Sequence, residues 1–174
     1  KNSFLNQLSI VQALWYLIVT VWALTQLQLP VFFFNNYLFI DSLAIYEVLI
    51  ASVVFLLSSL YARGYVKSLL DAGELDPRSL KLFYGGLNLL FLVVVLAMFS
   101  NNLALFWICL ELTTILSAVL IVTLNAKENI LAALKYVFIA STAMLFSIIG
   151  FIVLFAMTKQ VAGAGTLNWD RLMV

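Results

Sequence analysis

The segment Leu103–Leu124 reads LALFWICLELTTILSAVLIVTL and contains a single charged residue, Glu111. At about 1.5 Å of rise per residue, a helix of this length is about 33 Å long, close to the roughly 30 Å hydrocarbon core of a bilayer. The segment therefore predicts a helix that spans a membrane, with one carboxyl group inside it.

Four further apolar stretches have the same character. With the first segment, the predicted helices cover about 5–27, 38–62, 82–100, 103–124 and 129–157. Between the second and third helices, residues 63–81 form the one long polar loop that we predict. The pattern predicts an all-α integral membrane protein, with 1–174 as a single membrane domain built as a bundle of about five transmembrane helices.

The composition excludes an ordinary soluble domain. Hydrophobic residues make up 65% of the chain and charged residues 10%, against about 45–50% and about 25% in soluble domains. The net charge of +1 gives no electrostatic basis for binding a nucleic acid. With no His and only Cys109, the chain cannot form an internal disulfide, a His/Cys metal site or a Ser-His-Asp triad. We therefore expect no catalytic residue, no metal and no cofactor in this chain.

The basic residues predict an orientation in the cell membrane, since cytoplasmic loops carry an excess of Lys and Arg. Six basic residues fall on one side of the predicted bundle: Lys1, Arg63, Lys67, Arg78, Lys81 and Lys127. Two fall on the other, Lys159 and Arg171. The N-terminus and the 63–81 loop are thus predicted to be cytoplasmic, and the C-terminus extracytoplasmic.

Three ionisable residues, Glu47, Glu111 and Lys135, lie inside predicted helices. Each costs about 2.5–3.5 kcal/mol at the centre of a membrane, so such residues are functional candidates. From the predicted helix limits, Glu111 lies about 12 Å below one surface and Lys135 about 9 Å above the other, which leaves an axial gap of about 9 Å. That gap is too wide for a tight ion pair and suits a water-linked relay.

Polar neighbours extend the candidate site. Thr114 shares a helix face with Glu111, and Glu128, Lys135 and Thr142 recur at intervals of seven residues. The predicted ion-translocation residues are Glu111, Lys135, Glu47, Thr114, Thr142 and Glu128. Structural alternatives stay open: a static pair of Glu111 with Lys135, a packing role for Glu47, and a helix-capping box of Asn125 with Glu128.

Several motifs resemble one membrane-protein family. They are SNNLALFWICLELTTILSAVLI at 100–121, LAALKYVFIAS at 131–141, IDSLAIYEV at 40–48, SLYARGYV at 59–66, DAGELDP at 71–77 and GTLNWDRL at 165–172. They resemble the antiporter-like subunits of respiratory complex I, of Mrp-type antiporters and of energy-converting membrane-bound hydrogenases. The last four motifs fit the hydrogenase branch best.

The resemblance implies a function. The family's membrane glutamate corresponds to Glu111 and one of its membrane lysines to Lys135. Glu47 lies within the 40–48 motif but is not a residue that we associate with the family at that place. The family translocates protons or sodium ions, driven by redox chemistry in partner subunits. Its members are longer and have about fourteen helices, so the resemblance predicts that this chain is an incomplete portion of a longer or split subunit.

Two other functions remain open at the level of sequence. A structural membrane scaffold would use the buried charges only to specify helix contacts. A channel or carrier that works alone is the other alternative, and the small number of buried charges weighs against it. A stand-alone enzyme is disfavoured because the sequence offers no nucleophile–base pair.

Overall fold

The computed structural model describes residues 2–26, 29–76, 78–123 and 127–172. Five long helices and a short hairpin make up most of this part of the chain. In order, the elements are α1 (Asn2–Gln26), β1 (Val31–Phe33), β2 (Leu38–Ile40), α2 (Ser42–Asp71), α3 (Leu80–Met98), α4 (Leu103–Val122), α5 (Lys127–Ala162) and α6 (Trp169–Leu172).

Helices α1 to α5 are each long and apolar enough to cross a membrane. Many of their large apolar side chains are exposed, including Trp15, Phe138 and Phe146. A soluble protein rarely exposes so much contiguous apolar surface. The predicted all-α membrane fold is therefore confirmed, with five long apolar helices in the part of the chain that the structure describes.

Helix α2 continues well beyond its predicted end at residue 62, as far as Asp71. The predicted 63–81 loop is wrong over its first half, because this stretch is amphipathic with a helical period. Val66 and Leu69 are buried against Leu75, Leu80 and Tyr84. The basic residues Arg63 and Lys67 point outward. The charged residues favour a loop, but the buried apolar residues Val66 and Leu69 continue the helix.

The start of α2 was also predicted too early, because residues 38–40 form a strand. The antiparallel strands β1 and β2 pair Val31 with Ile40 and Phe33 with Leu38. The turn between them places Phe34, Asn35 and Asn36 at φ values of 51°, 54° and 67°, a left-handed conformation that asparagine tolerates well.

Asp41 then fixes the first turn of α2. Its side chain accepts a hydrogen bond from the Ala44 N–H at 2.7 Å, and its extended backbone makes it the helix N-cap. Helix α2 consequently begins at Ser42, four residues after the predicted start.

The helices pack mainly in three pairs, α1 with α2, α3 with α4, and α4 with α5. Between the first three helices, the rings of Phe55 and Phe91 stack with centroids 4.3 Å apart. Helix α5 lies against α4 and leaves most of its own surface exposed. The fold therefore presents one face of α4 to α5, and Glu111 lies on that face.

The short connection between α3 and α4, which contains Asn101 and Asn102, is the centre of a polar cluster. Asn101 is 1% exposed. Its Nδ2 donates to the Asn36 carbonyl and to Asp170 Oδ1, both at 2.7 Å. Its carbonyl accepts from the Trp169 N–H at 2.7 Å. One residue thus joins the hairpin, the start of α4 and the segment after α5.

Candidate functional site

Glu111 lies in the middle of α4, whose beginning is fixed by Asn102. The Asn102 side chain accepts hydrogen bonds from the Ala104 and Leu105 N–H groups at 3.1 and 3.2 Å, which makes it the N-cap of the helix. Glu111 lies eight residues after Leu103, which is about 12 Å from the start of α4. It is partly buried between α4 and α5.

The two oxygens of Glu111 have different surroundings. Oε1 accepts a hydrogen bond from Ser141 Oγ of α5 at 2.5 Å. Oε2 is buried and has no hydrogen-bond partner among the described residues. A buried, unpaired carboxylate oxygen is costly, so a bound proton or cation would stabilise it.

A second polar contact joins the same two helices one turn away. The indole Nε1 of Trp107 donates to the Met144 carbonyl at 3.0 Å. Trp107 and Glu111 are one turn apart on α4, and their partners Met144 and Ser141 are nearly one turn apart on α5. These two contacts fix the antiparallel register of α4 and α5 around the carboxyl group.

Lys135 is not brought to Glu111 in this structure. Its side chain is exposed and forms no ion pair or hydrogen bond within the described part of the chain. Lys135 lies six residues before Ser141, which is about 9 Å along the axis and about 120° around it. The axial offset equals the one expected from the sequence, but Lys135 faces away from α4.

Thr114 and Thr142 are likewise on different surfaces. Thr114 is buried on the Glu111 face of α4, and its Oγ1 donates to the Leu110 carbonyl at 3.2 Å. Thr142 is exposed on the same face of α5 as Lys135, and its Oγ1 donates to the Phe138 carbonyl at 2.6 Å. The side chain of Glu128, as well as all of Asn125, lies outside the described residues.

Glu47 belongs to a different part of the molecule. It is exposed and lines a cavity of about 270 Å³ together with Asp41, Asn101 and Trp169. Because α2 begins at Ser42, Glu47 lies only about 8 Å from the start of that helix, not deep in the span as the predicted boundary implied. The structure therefore separates Glu47 from Glu111.

Ser141 is a contact that sequence reasoning missed, since it is not among the predicted ion-translocation residues. The sequence does contain a signal that predicts which residues of α4 and α5 lie at the same level. Helices α4 and α5 are antiparallel and joined by a short connection, so residues equally far from that connection lie at the same level. Counting outward from Val122 and Lys127 places Glu111 near residue 138, within one turn of Ser141.

Among the described residues, no three His, Cys, Asp or Glu side chains come together in one cluster. Within the described part of the chain, the polar groups next to Glu111 are hydroxyl and indole groups, of which only the Ser141 hydroxyl donates to the carboxyl group. Chemically, the arrangement can hold and release a cation, of which the smallest is a proton.

Comparison with known proteins shows a similarity to a hydrogenase component. The chain is 22% identical over 140 residues to the Hydrogenase-4 component F homolog of Methylacidiphilum infernorum (isolate V4). The match covers 79% of this chain and 29% of that protein, so the chain spans less than a third of its relative's length. No protein-family model and no solved structure matches. The chain is a multi-pass membrane protein similar to part of a hydrogenase component.

Proposed function

We propose that this chain is part of an antiporter-like membrane subunit that translocates protons or sodium ions in a redox complex of the hydrogenase type. Glu111 is the residue that binds the ion. The observation that carries this proposal is the divided environment of its carboxyl group. Oε1 is held by Ser141, and Oε2 is buried without a partner.

The energetics of burial support an exchanging ion at Oε2. A carboxylate inside a membrane is costly when it is unpaired, and it is stabilised by a proton or by a positive charge nearby. Binding an ion at Oε2 requires no change at Oε1, since the Ser141 hydroxyl can donate to a carboxylate and to the carbonyl of an acid alike. Glu111 can therefore gain and lose an ion while its own position stays fixed.

In this proposal Lys135 acts on Glu111 from a distance. The two residues are offset by about 9 Å along the helices, and charges still interact over such a distance in a poorly screened environment. When the Lys135 charge is close, the carboxylate form is favoured, and when a neighbouring subunit draws that charge away, ion binding is favoured. Redox chemistry and its cofactors would reside in partner subunits of the complex.

A structural scaffold is the second candidate, and the two contacts between α4 and α5 favour it. Glu111 with Ser141 and Trp107 with Met144 could serve only to hold the helices in register. The two functions differ in what they require of residue 111. A scaffold needs an oxygen that accepts from Ser141, whereas ion translocation needs a group that ionises.

The replacement Glu111→Gln separates these functions, because the amide keeps a carbonyl oxygen for Ser141 and cannot ionise. Sealed inverted membrane vesicles that contain the full complex should lose redox-driven ion uptake, while co-purification of the subunits is unchanged. Glu74→Gln is the matched control, since Glu74 is exposed between α2 and α3. Normal ion uptake with Glu111→Gln would contradict the proposal and favour the structural scaffold.

A further inference from the structure

Ser141 differs in the direction of its hydrogen bond from the hydroxyl residues nearest to it along α4 and α5, which are Thr113, Thr114, Ser117 and Thr142. Serine and threonine in helices commonly donate to a carbonyl three or four residues earlier. Thr113 and Ser117 of α4 do so at 2.7 Å each, and Thr142, next to Ser141 in α5, does so at 2.6 Å. Ser141 instead donates across the helix interface, to Glu111 Oε1.

The cross-helix bond makes the two carboxyl oxygens inequivalent. One lone pair of Oε1 is engaged by a hydroxyl, whereas Oε2 is enclosed and has no donor among the described residues. Trp107, bound to the Met144 carbonyl one turn away, restrains the α5 backbone on the same side. The carboxyl group is thus oriented by α5 and is not free to rotate between equivalent positions.

We infer that Ser141 is a positioning residue for Glu111, and that its hydroxyl determines which oxygen binds the ion and how readily the ion is released. This inference rests on the proposed role of Glu111 in ion translocation. The hydroxyl stabilises the carboxylate through a charge-assisted hydrogen bond at Oε1. It leaves Oε2 as the oxygen that binds and releases the ion.

Carbodiimide labelling tests this inference without measuring transport. Dicyclohexylcarbodiimide enters membranes and reacts with protonated carboxyl groups, and mass spectrometry of the digested protein reports modification of Glu111 alone. The experiment uses membranes that contain the full-length protein, at the alkaline end of the range where the labelling rate falls with pH. In that range the rate follows the small protonated fraction of Glu111.

Ser141→Ala removes the donor and should speed the labelling of Glu111 about tenfold, which corresponds to an ordinary hydrogen bond to a charged group. Ser141→Thr keeps a hydroxyl and should label within about twofold of the parent. Ser147→Ala removes an exposed hydroxyl from the same helix and should also label like the parent. A parental rate in Ser141→Ala, or an equal acceleration in Ser147→Ala, would overturn the inference.

Ser141→Cys guards against a variant that fails to fold, because it keeps nearly the volume of serine and replaces a strong donor with a weak one. Its labelling rate should fall between those of the parent and Ser141→Ala, and a rate at or below the parent's would also overturn the inference. The proposed function can fail separately. If Glu111→Gln retains ion uptake while Ser141→Ala still accelerates labelling, the translocation role is wrong and the positioning role stands.

Discussion

Asn101 and Asp170, 69 residues apart in the chain, exchange two hydrogen bonds across the end of the bundle. Asn101 Nδ2 donates to Asp170 Oδ1 at 2.7 Å, and the Asp170 N–H donates to Asn101 Oδ1 at 3.1 Å. The pair fixes the segment after α5 to the residues that start α4. It thereby helps to set the level of Glu111 relative to α5.

Asn101→Ala should destabilise the protein strongly. The change removes three side-chain hydrogen bonds, to Asn36 and Asp170, from a residue that is 1% exposed. The expected loss is about 2–4 kcal/mol, since buried partners are left unsatisfied. Thermal unfolding of the solubilised full-length protein measures it.

A reciprocal exchange provides the control for that prediction. Asn101→Asp places a second carboxylate beside Asp170 and should be at least as damaging as alanine. Adding Asp170→Asn restores a donor–acceptor pair and should recover part of the loss, so the double variant should unfold at a higher temperature than Asn101→Asp alone. Additive effects of the two changes would show that the pair does not act as a unit.

Adjacent glycines in α3 should respond differently to an added methyl group. A Cβ at Gly86 would lie 3.1 Å from the Leu120 side chain of α4, whereas a Cβ at Gly85 would meet nothing within 4 Å. Gly85→Ala should raise stability by about 0.5–1 kcal/mol through reduced chain entropy. Gly86→Ala should gain less, and Gly86→Val should lower the unfolding temperature. Equal responses at both positions would contradict the α3–α4 contact.

The N-cap at Asp41 should be worth about 1 kcal/mol. Asp41→Ala removes the acceptor for the Ala44 N–H, and thermal unfolding should register the loss. Asp41→Asn keeps a side-chain oxygen and should unfold within a few tenths of a kcal/mol of the parent. If alanine and asparagine behave alike, α2 does not depend on this cap.

Lys135→Ala should weaken ion uptake without destabilising the chain. Lys135 is exposed and has no partner in the part of the chain that the structure describes, so its removal should change stability by less than about 0.5 kcal/mol. The exposed residue Lys81, at the start of α3, is the control. Lys81→Ala should leave uptake unchanged, and equal uptake in both variants would remove Lys135 from the mechanism.

The spanning helices could be predicted from sequence because the requirement is simple: about twenty apolar residues and few charges. The helix boundaries were harder to predict from the sequence. The end of α2 depends on a tertiary contact, in which Val66 and Leu69 pack against Tyr84 of α3. The sequence does not show this contact, and the charges of Arg63 and Lys67 instead favour a loop. The hairpin before α2 depends on left-handed backbone at Phe34, which few sequence patterns specify.

The sequence identifies Glu111 as the candidate residue, but it does not predict which side chains contact it. A charge within a span identifies Glu111 directly, since ionisable residues are rare and costly inside spanning helices. Its contact with Ser141 depends on the rotation of α5 about its own axis. The sequence of α5 does not reveal this rotation, because apolar residues are spread around the whole helix. The sequence does predict that Lys135 and Thr142 share one face of α5. It does not predict whether that face contacts α4.

The most direct measurement uses the unaltered protein. Vesicles that contain the full complex are treated with increasing amounts of dicyclohexylcarbodiimide, and redox-driven ion uptake is plotted against the fraction of Glu111 modified. If Glu111 binds the translocated ion, uptake falls in proportion and reaches zero when every Glu111 is modified. Substantial uptake at full modification, or complete loss while Glu111 remains unmodified, would contradict the account.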